Sequence, residues 1–353
     1  MLEWPDGGVG RRSSGQPQVR EAKCRLKKRV MNTTNIPRHP LGTTDILIDP
    51  IFLGTWQAGN THWVGVEDTD SLATIQAAYE AGLRCFDTAI VYGSGHSERL
   101  LGQVLKPVRK EVVIASKVIA DELTYQGVIA SCEKSLTNLN TDYIDLFQIH
   151  WPAGSFGSVP VPIEQTMRAM NKLQEQGKIR ATGVSNFSLE QLQDAMQYSP
   201  IASLQPPYSL FWRHIEEALQ PFCQTHQISI LAYSPLSQGL LTGKFGPTHQ
   251  FHPRDNRMNN RLFQPDILPR AHAALKKLRP IAEAHHTTLG NLSLAWLMHQ
   301  PQTSVIAGAR RPSQIKQSIQ AVALSLSDET LREISSIGME IAKPFLDTAT
   351  THL

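Results

Sequence analysis

The chain has 353 residues, 41% hydrophobic and 18% charged, a balance that suits a soluble globular enzyme and argues against a disordered or fibrous chain. No apolar run approaches the ~18 residues a membrane helix needs, and the four cysteines, Cys24, Cys85, Cys132 and Cys223, show no CxxC pairing, which argues against a zinc site or disulfide frame and fits a cytoplasmic protein. Residues 1–30 hold eight of the 34 Lys/Arg and three of the 31 Asp/Glu, so the net charge of +3 reflects the head; the remaining 26 basic and 28 acidic residues give no support for nucleic-acid binding.

The basic head reads as a disordered extension over 1–35, with Met31 as the expected natural start. A single domain is expected over 36–340 and a short tail over 341–353. From residue 50 onward, apolar runs alternate with amphipathic stretches. In chain order the expected elements begin with strand 51–54, helix 70–81, strand 84–88 and helix 97–105. Strand 111–117, helix 125–138, strand 144–149 and helix 163–176 follow. Gln176-Gly177 is a helix stop, and Ser188 is a good N-cap for the next helix, 189–196. Strand 180–184 precedes that helix. Strand 203–205, helix 215–226 and strand 229–232 come next. A long polar stretch over 237–266 is then expected to be functional rather than mere connection. Helix 271–284, an extra helix 288–299, strand 304–307, helix 312–321 and a last helix 327–337 complete the chain. Eight strands alternating with helices predict a parallel sheet closed as a (β/α)8 TIM barrel, with an open doubly wound sheet as the alternative.

In such a barrel, chemistry sits at the C-terminal ends of the strands. Asp87 ends the second strand and Tyr92 lies on the loop after it. Lys117 ends the third strand in VVIASK, and His150 follows the fourth in YIDLFQIH. A lone strand-end Lys is usually a surface charge and a lone His usually structural; the set on three successive strands is more specific. A phenol is a poor acid at neutral pH, with an ordinary pKa near ~10. Lys117 beside it is expected to lower that value, with Asp87 orienting the ammonium. His150 can donate a hydrogen bond to a carbonyl oxygen. Together they would polarise a carbonyl and protonate it as hydride arrives at carbon.

Hydride needs a donor. Gly93-Ser94-Gly95-His96-Ser97-Glu98 nearly matches the GxGxxG fingerprint, but its last position is Glu98 and no acid closes a second strand about 20 residues on. Gly239–Lys244 is one residue short of a P-loop and lacks the Ser/Thr after Lys244. Both readings are rejected. A better phosphate site is the last strand's end, Gly308-Ala309-Arg310-Arg311-Pro312-Ser313-Gln314, where a small-residue turn leads into a helix start flanked by two arginines. Two Arg suit a 2′-phosphate, hence NADPH over NADH.

With these segments in place, the chain from about residue 40 to 338 resembles the aldo-keto reductase family. The carrying segments are FDTAIVYGSGHSERLLG, VVIASK, YIDLFQIHWP, GKIRATGVSNF, ILAYSPLSQGLLTGKF and VIAGARRPSQIKQSIQA, in the family's order. The resemblance implies NADPH-dependent reduction of aldehydes or ketones without metal, and a catalytic tetrad of Asp87, Tyr92, Lys117 and His150. It implies cofactor contacts from Asp87 and from Gly54, Thr55 and Trp56 at the first strand's end. Ser185 and Asn186, with Gln205 beside them, would hold the nicotinamide carboxamide, and Tyr233 would stack on the ring. Ser234, Leu236, Gln238, Gly239, Leu241 and Lys244 would wrap the pyrophosphate. Gly308 is a further cofactor contact, Arg310 and Gln314 fall at the 2′-phosphate, and Gln317 and Ser318 fall at the adenine. Ser318 stands where the family usually has Asn and Ala307 where Pro is common, and the first is expected to cost roughly 1 kcal/mol of adenine binding. Trp56, Trp63, Trp151 and Trp212 are expected to form an apolar mouth for the substrate. Two alternatives stay open: a non-catalytic NADPH-binding redox sensor acting on a protein partner, which an intact tetrad disfavours, and a Schiff-base aldolase using Lys117. The expected partner is a small aldehyde or ketone, with no nucleic acid or membrane; the oligomeric state is not legible.

Overall fold

Short runs of β-branched and aromatic side chains become strands here because both of their faces are covered. All six residues of Ile144–Ile149 are buried, as are the four of Ile51–Gly54. This is the pattern of parallel strands, with side chains packed on both sides. The computed structural model describes residues 36–60, 65–246, 249–252 and 255–343. The expected head extension and Met31 start therefore lie outside the described residues, as do Trp63 and most of the tail.

Eight parallel strands close into a barrel in chain order. They are β1 (Ile51–Gly54), β2 (Cys85–Asp87), β3 (Val113–Val118), β4 (Ile144–Ile149), β5 (Ile179–Ser185), β6 (Ser203–Gln205), β7 (Ser229–Ala232) and β8 (Thr303–Gly308). Closure of β8 on β1, with Val305 opposite Ile51 and Gly308 opposite Gly54, rules out the open sheet. The ring of helices is α1 (Asp68–Glu80), α2 (His96–Leu105), α3 (Tyr125–Leu139), α4 (Ile163–Glu175), α5 (Leu189–Met196), α6 (Leu219–Thr225), α7 (Leu268–Ala284) and α9 (Pro312–Ile319). Two further helices, α8 (Leu289–Met298) and α10 (Asp328–Ala342), flank β8 and close the chain.

Helix ends follow local chemistry. Ser188 caps α5 in a capping box with Gln191, an arrangement that contributes about 1 kcal/mol. Thr124, Thr288 and Ser327 each accept a backbone N–H at the starts of α3, α8 and α10. The expected helix 215–226 is shorter than its pattern suggests. A 3-10 turn covers His214–Glu216, and α6 begins only at Leu219, because Ala218 leaves helical geometry with φ −130°. Pro221 fits in the first turn of α6, where its missing N–H has no intrahelical acceptor to lose.

Two apolar layers divide the molecule. The outer core packs strands against helices. The inner core fills the barrel with Phe52, Cys85, Ala115, Leu146, Ala181, Leu231 and Ile306. A short antiparallel ladder, His39–Pro40 against Leu47–Ile48, lies at the N-terminal end and adds Leu41, Ile46 and Ile48 to that inner core. The barrel floor is thereby covered by apolar side chains. Above it, the inward positions turn polar: Asp87, Lys117, Gln148, Ser203 and Gln205 are all buried. That change of character marks the C-terminal face as the place for chemistry.

Candidate active site

Inward positions at the ends of β2 and β3 bring Asp87 and Lys117 into contact. Lys117 Nζ donates to Asp87 Oδ1 at 2.7 Å and to the Thr88 carbonyl oxygen at 2.8 Å. The pair is almost wholly buried, at 0% and 3% side-chain exposure. An ammonium so enclosed, with its nitrogen donating to two oxygens, is not available as a nucleophile toward a substrate carbonyl. Burial pulls Lys117 below its ordinary value, and the Asp87 carboxylate opposes that pull.

Tyr92 hangs over this pair, its ring centroid 5.2 Å from Lys117 Nζ. His150 meets the Tyr92 ring edge-on, at 5.9 Å and 79°. The tetrad read from the sequence is therefore one cluster. The expectation that Lys117 lowers the Tyr92 pKa is not met. Burial and the Asp87 charge push the phenol well above its ordinary value. The physical reason is lost solvation first, which penalises a phenolate, and then the nearby Asp87 carboxylate, which repels one. His150 is pulled well below its ordinary value, by burial and then by Lys117, and is neutral at pH 7.

The Tyr92 loop is held from beneath. Thr55 accepts from Ser97 at 2.7 Å and donates to the Asp87 carbonyl oxygen at 2.9 Å. Gly59 packs so closely that a Cβ there would lie 2.7 Å from the Tyr92 carbonyl carbon. The GSGHSE stretch is a helix start, with Gly95 as N-cap of α2 at φ +84°.

Around the tetrad, the residues expected at the nicotinamide form one hydrogen-bonded wall. Asn186, in the left-handed region at φ +60°, donates to the His150 carbonyl oxygen at 2.9 Å and to Ser185 Oγ at 3.0 Å, and accepts from Tyr233 Oη at 2.9 Å. Ser185 Oγ donates to the Gln205 main-chain oxygen at 2.7 Å, and Gln205 Nε2 donates to Asp87 Oδ2 at 2.9 Å. Gln205 thus touches the tetrad itself.

The loop after β7 carries Ser234, Ser237, Gln238 and Gly239 with φ between +49° and +96°. Such a run of left-handed residues is strained, and strain of this kind collects at ligand clamps. Both side-chain polar atoms of Gln238 are buried without a partner, as is Gln57 Oε1. Gln57 lies against Gly308, where a Cβ would meet its Nε2 at 2.3 Å. Orphaned amides of this kind cost free energy unless a polar ligand meets them. Leu241 is buried, and the Gly239–Lys244 stretch covers the end of a 3-10 segment, Ser237–Thr242, and its Gly243 cap rather than a strand–loop–helix.

Lys244, Arg257 and Arg310 gather at the far side. Lys244 Nζ stands 4.8 Å and Arg257 Cζ 5.2 Å from the same Phe245 ring. Burial lowers the pKa of both Lys244 and Arg310, and repulsion from Arg257 lowers each further. Asp255 is the acid among them, gripping Arg257 at 2.8 and 2.6 Å. Arg257, Asp255 and Gln57 escaped the sequence reading; only the polarity of the 237–266 stretch pointed to the first two. Gln314 Oε1 accepts from the backbone of Arg310 at 2.8 Å and of Arg311 at 3.2 Å, so it shapes the α9 start. Gln317 and Ser318 lie on α9, exposed and half-buried.

Among the expected pocket tryptophans, Trp56 and Trp151 are half-buried at the barrel mouth. Trp151 meets the exposed Phe156 edge-on at 4.9 Å. Trp212 departs from the expectation: it is 4% exposed, packs in the outer core and offers almost no surface to a substrate. Its backbone pairs with Ser209 in an isolated antiparallel bridge.

Comparison with known proteins agrees with this geometry. Residues 50–338 match the Aldo/keto reductase family. Aldo-keto reductase YhdN of Bacillus subtilis (strain 168) is 35% identical over 309 residues, covering 84% of this chain and 92% of the relative. The NADH-specific methylglyoxal reductase of Escherichia coli (strain K12) is 33% identical, covering 82% of this chain and 94% of the relative. An aldo-keto reductase from Klebsiella pneumoniae, solved in complex with NADPH, superposes with a TM-score of 0.68 at 29% identity, covering 86% and 95% of the two chains. With the barrel closed, the four side chains assembled and most of the length matched, the chain belongs to the aldo-keto reductase family.

Proposed function

We propose that the protein reduces aldehydes or ketones to alcohols with NADPH, and that Tyr92 delivers the proton. The single observation that carries this reading is the Tyr92–Lys117–Asp87–His150 cluster at the mouth of the barrel. NADPH, when bound, supplies the hydride. The orphaned Gln57 and Gln238 amides and the Lys244–Arg257–Arg310 cluster fit a polar, anionic cofactor. Ser185, Asn186 and Gln205 would hold its carboxamide, with Tyr233 as the flat wall beneath the ring. Arg310 and Arg257 would hold its 2′-phosphate end, joined by Lys244, which the sequence assigns to the pyrophosphate but whose charge neighbours are Arg257 and Arg310.

In this mechanism Tyr92 Oη and a neutral His150 ring N–H donate to the substrate oxygen together. The high pKa of Tyr92 keeps the phenol protonated until negative charge builds on that oxygen. An alkoxide is a much stronger base than phenolate, so the proton then moves to it downhill. Lys117 stabilises the phenolate left behind, and Asp87 keeps that ammonium in place. Preorganised donors of this kind need no reorganisation at the moment of reaction.

A half-buried Trp151 with Phe156 beside it favours aryl and alkyl carbonyls over highly charged ones. The test is direct. Purified protein should oxidise NADPH when given an aromatic aldehyde. Failure across a panel of aldehydes and ketones, with NADPH bound, would refute the reading.

A further inference from the structure

Gln148 lies inside the barrel on β4, fully buried, and none of the roles above uses it. It pairs in register with Lys117 on one side and Gly183 on the other. Its Oε1 faces two donors, Ser203 Oγ at 3.3 Å and Gln205 Nε2 at 3.4 Å. Gln205 Nε2 is the same atom that donates to Asp87 Oδ2. A carboxylate only accepts, so this end of Gln205 must be its NH2 group. Both hydrogens of that group are then directed: one at Asp87, the other at Gln148.

The consequence falls on the opposite end of the amide. No donor among the described residues reaches Gln205 Oε1. The Gln148 contacts are long, so their strength is small and their effect is on orientation. If Gln205 turned over, its oxygen would face both the Asp87 carboxylate and Gln148 Oε1. Room for this arrangement comes from Gly183, where a Cβ would lie 2.4 Å from Ser203 Oγ and 3.0 Å from Gln148 Cγ.

We propose that Gln148 is a positioning residue that, beside Asp87, holds the Gln205 amide with its oxygen free to accept from the carboxamide NH2 of the nicotinamide. The proposal rests on the NADPH reading above. It makes the site selective for the carboxamide group itself. The Asp87–Gln205–Gln148 chain also ties cofactor recognition to the carboxylate that orients Lys117.

The experiment compares NADPH with its acetylpyridine analogue, in which a methyl ketone replaces the carboxamide and no NH2 remains. Dissociation constants are read by fluorescence titration, and turnover is read with one aldehyde. The wild-type protein should favour NADPH by about tenfold, the value of one hydrogen bond. In Gln148→Met, similar in length but without the acceptor, that ratio should fall to about threefold, because Asp87 still holds the other hydrogen of the Gln205 amide. Gln148→Asn, which withdraws the acceptor by one methylene while staying polar, should do the same. A folded Met or Asn variant that keeps the full ratio would overturn the role of Gln148, as would a wild-type protein that does not discriminate. A wild-type protein that fails to bind NADPH at all would instead overturn the underlying reading.

Discussion

Removing Arg310 probes the cofactor reading where its electrostatics are clearest. Lys244, Arg257 and Arg310 bring three positive charges together, and Asp255 supplies one negative. The excess of two positive charges matches a phosphate monoester, which carries about −1.5 to −2 near pH 7. Arg310→Ala removes one charge-assisted hydrogen bond, a loss of about 1.5–3 kcal/mol. Arg310 is only half-buried, so the lower end applies, about tenfold in NADPH affinity. NADH lacks the 2′-phosphate, and its dissociation constant should change by less than about threefold, the residue of longer-range screening. Asp255→Asn should act in the opposite sense and tighten NADPH, since it removes the anion that competes for Arg257. Fluorescence titration with both cofactors at low and high salt measures all of this. Equal weakening of NADPH and NADH by Arg310→Ala would refute the reasoning. The comparison has an added point, because one relative is an NADH-specific reductase.

Gly59→Ala should displace the Tyr92 loop, because the new Cβ would lie 2.7 Å from its backbone. A shift near one ångström is expected to lower kcat by about a hundredfold with little change in NADPH affinity; steady-state kinetics would show the split. Lys117→Met leaves the Asp87 charge buried without its partner, and should cost about 3–5 kcal/mol of stability as well as turnover, read by denaturant unfolding and by kcat. His150 is pulled well below its ordinary pKa and His214 down to about 4, both chiefly by burial. In each case the unfolded chain takes up a proton that the folded protein resists. Their contribution is complete above about pH 6.5 and is lost as pH falls toward the folded values, by at most about 1.4 kcal/mol per pH unit for each group. Tm measured from pH 8 to pH 5 should therefore fall below pH 6.5, and a flat or rising Tm would contradict the assignment.

The barrel was legible because its strands are buried on both faces and read as apolar runs with sharp ends; all eight expected strands are present. That Asp87, Tyr92, Lys117 and His150 come together was legible because they sit at or just beyond those ends. What escaped depends on contacts the chain makes with itself at a distance. The ladder of His39–Pro40 with Leu47–Ile48 is too short to carry a period, and only its place under the barrel makes it structure. Arg257 reaches the Arg310 site from more than 50 positions away, across a loop with no regular pattern. Trp212 reads as a loop aromatic, and its burial comes from packing against the outer core, which no local pattern encodes. The rise in the Tyr92 pKa comes from burial first and the Asp87 charge second, and the depth of that burial is set by the assembled barrel mouth. Gln148 is one more apolar-run residue in the sequence; its meaning comes from facing Gln205 across the barrel.

The proposed role of Tyr92 as proton donor is tested most directly by Tyr92→Phe. NADPH oxidation with an aromatic aldehyde, measured beside NADPH binding, should show kcat lowered by about a hundredfold to ten-thousandfold with the cofactor still bound. Full turnover in that variant would contradict the account.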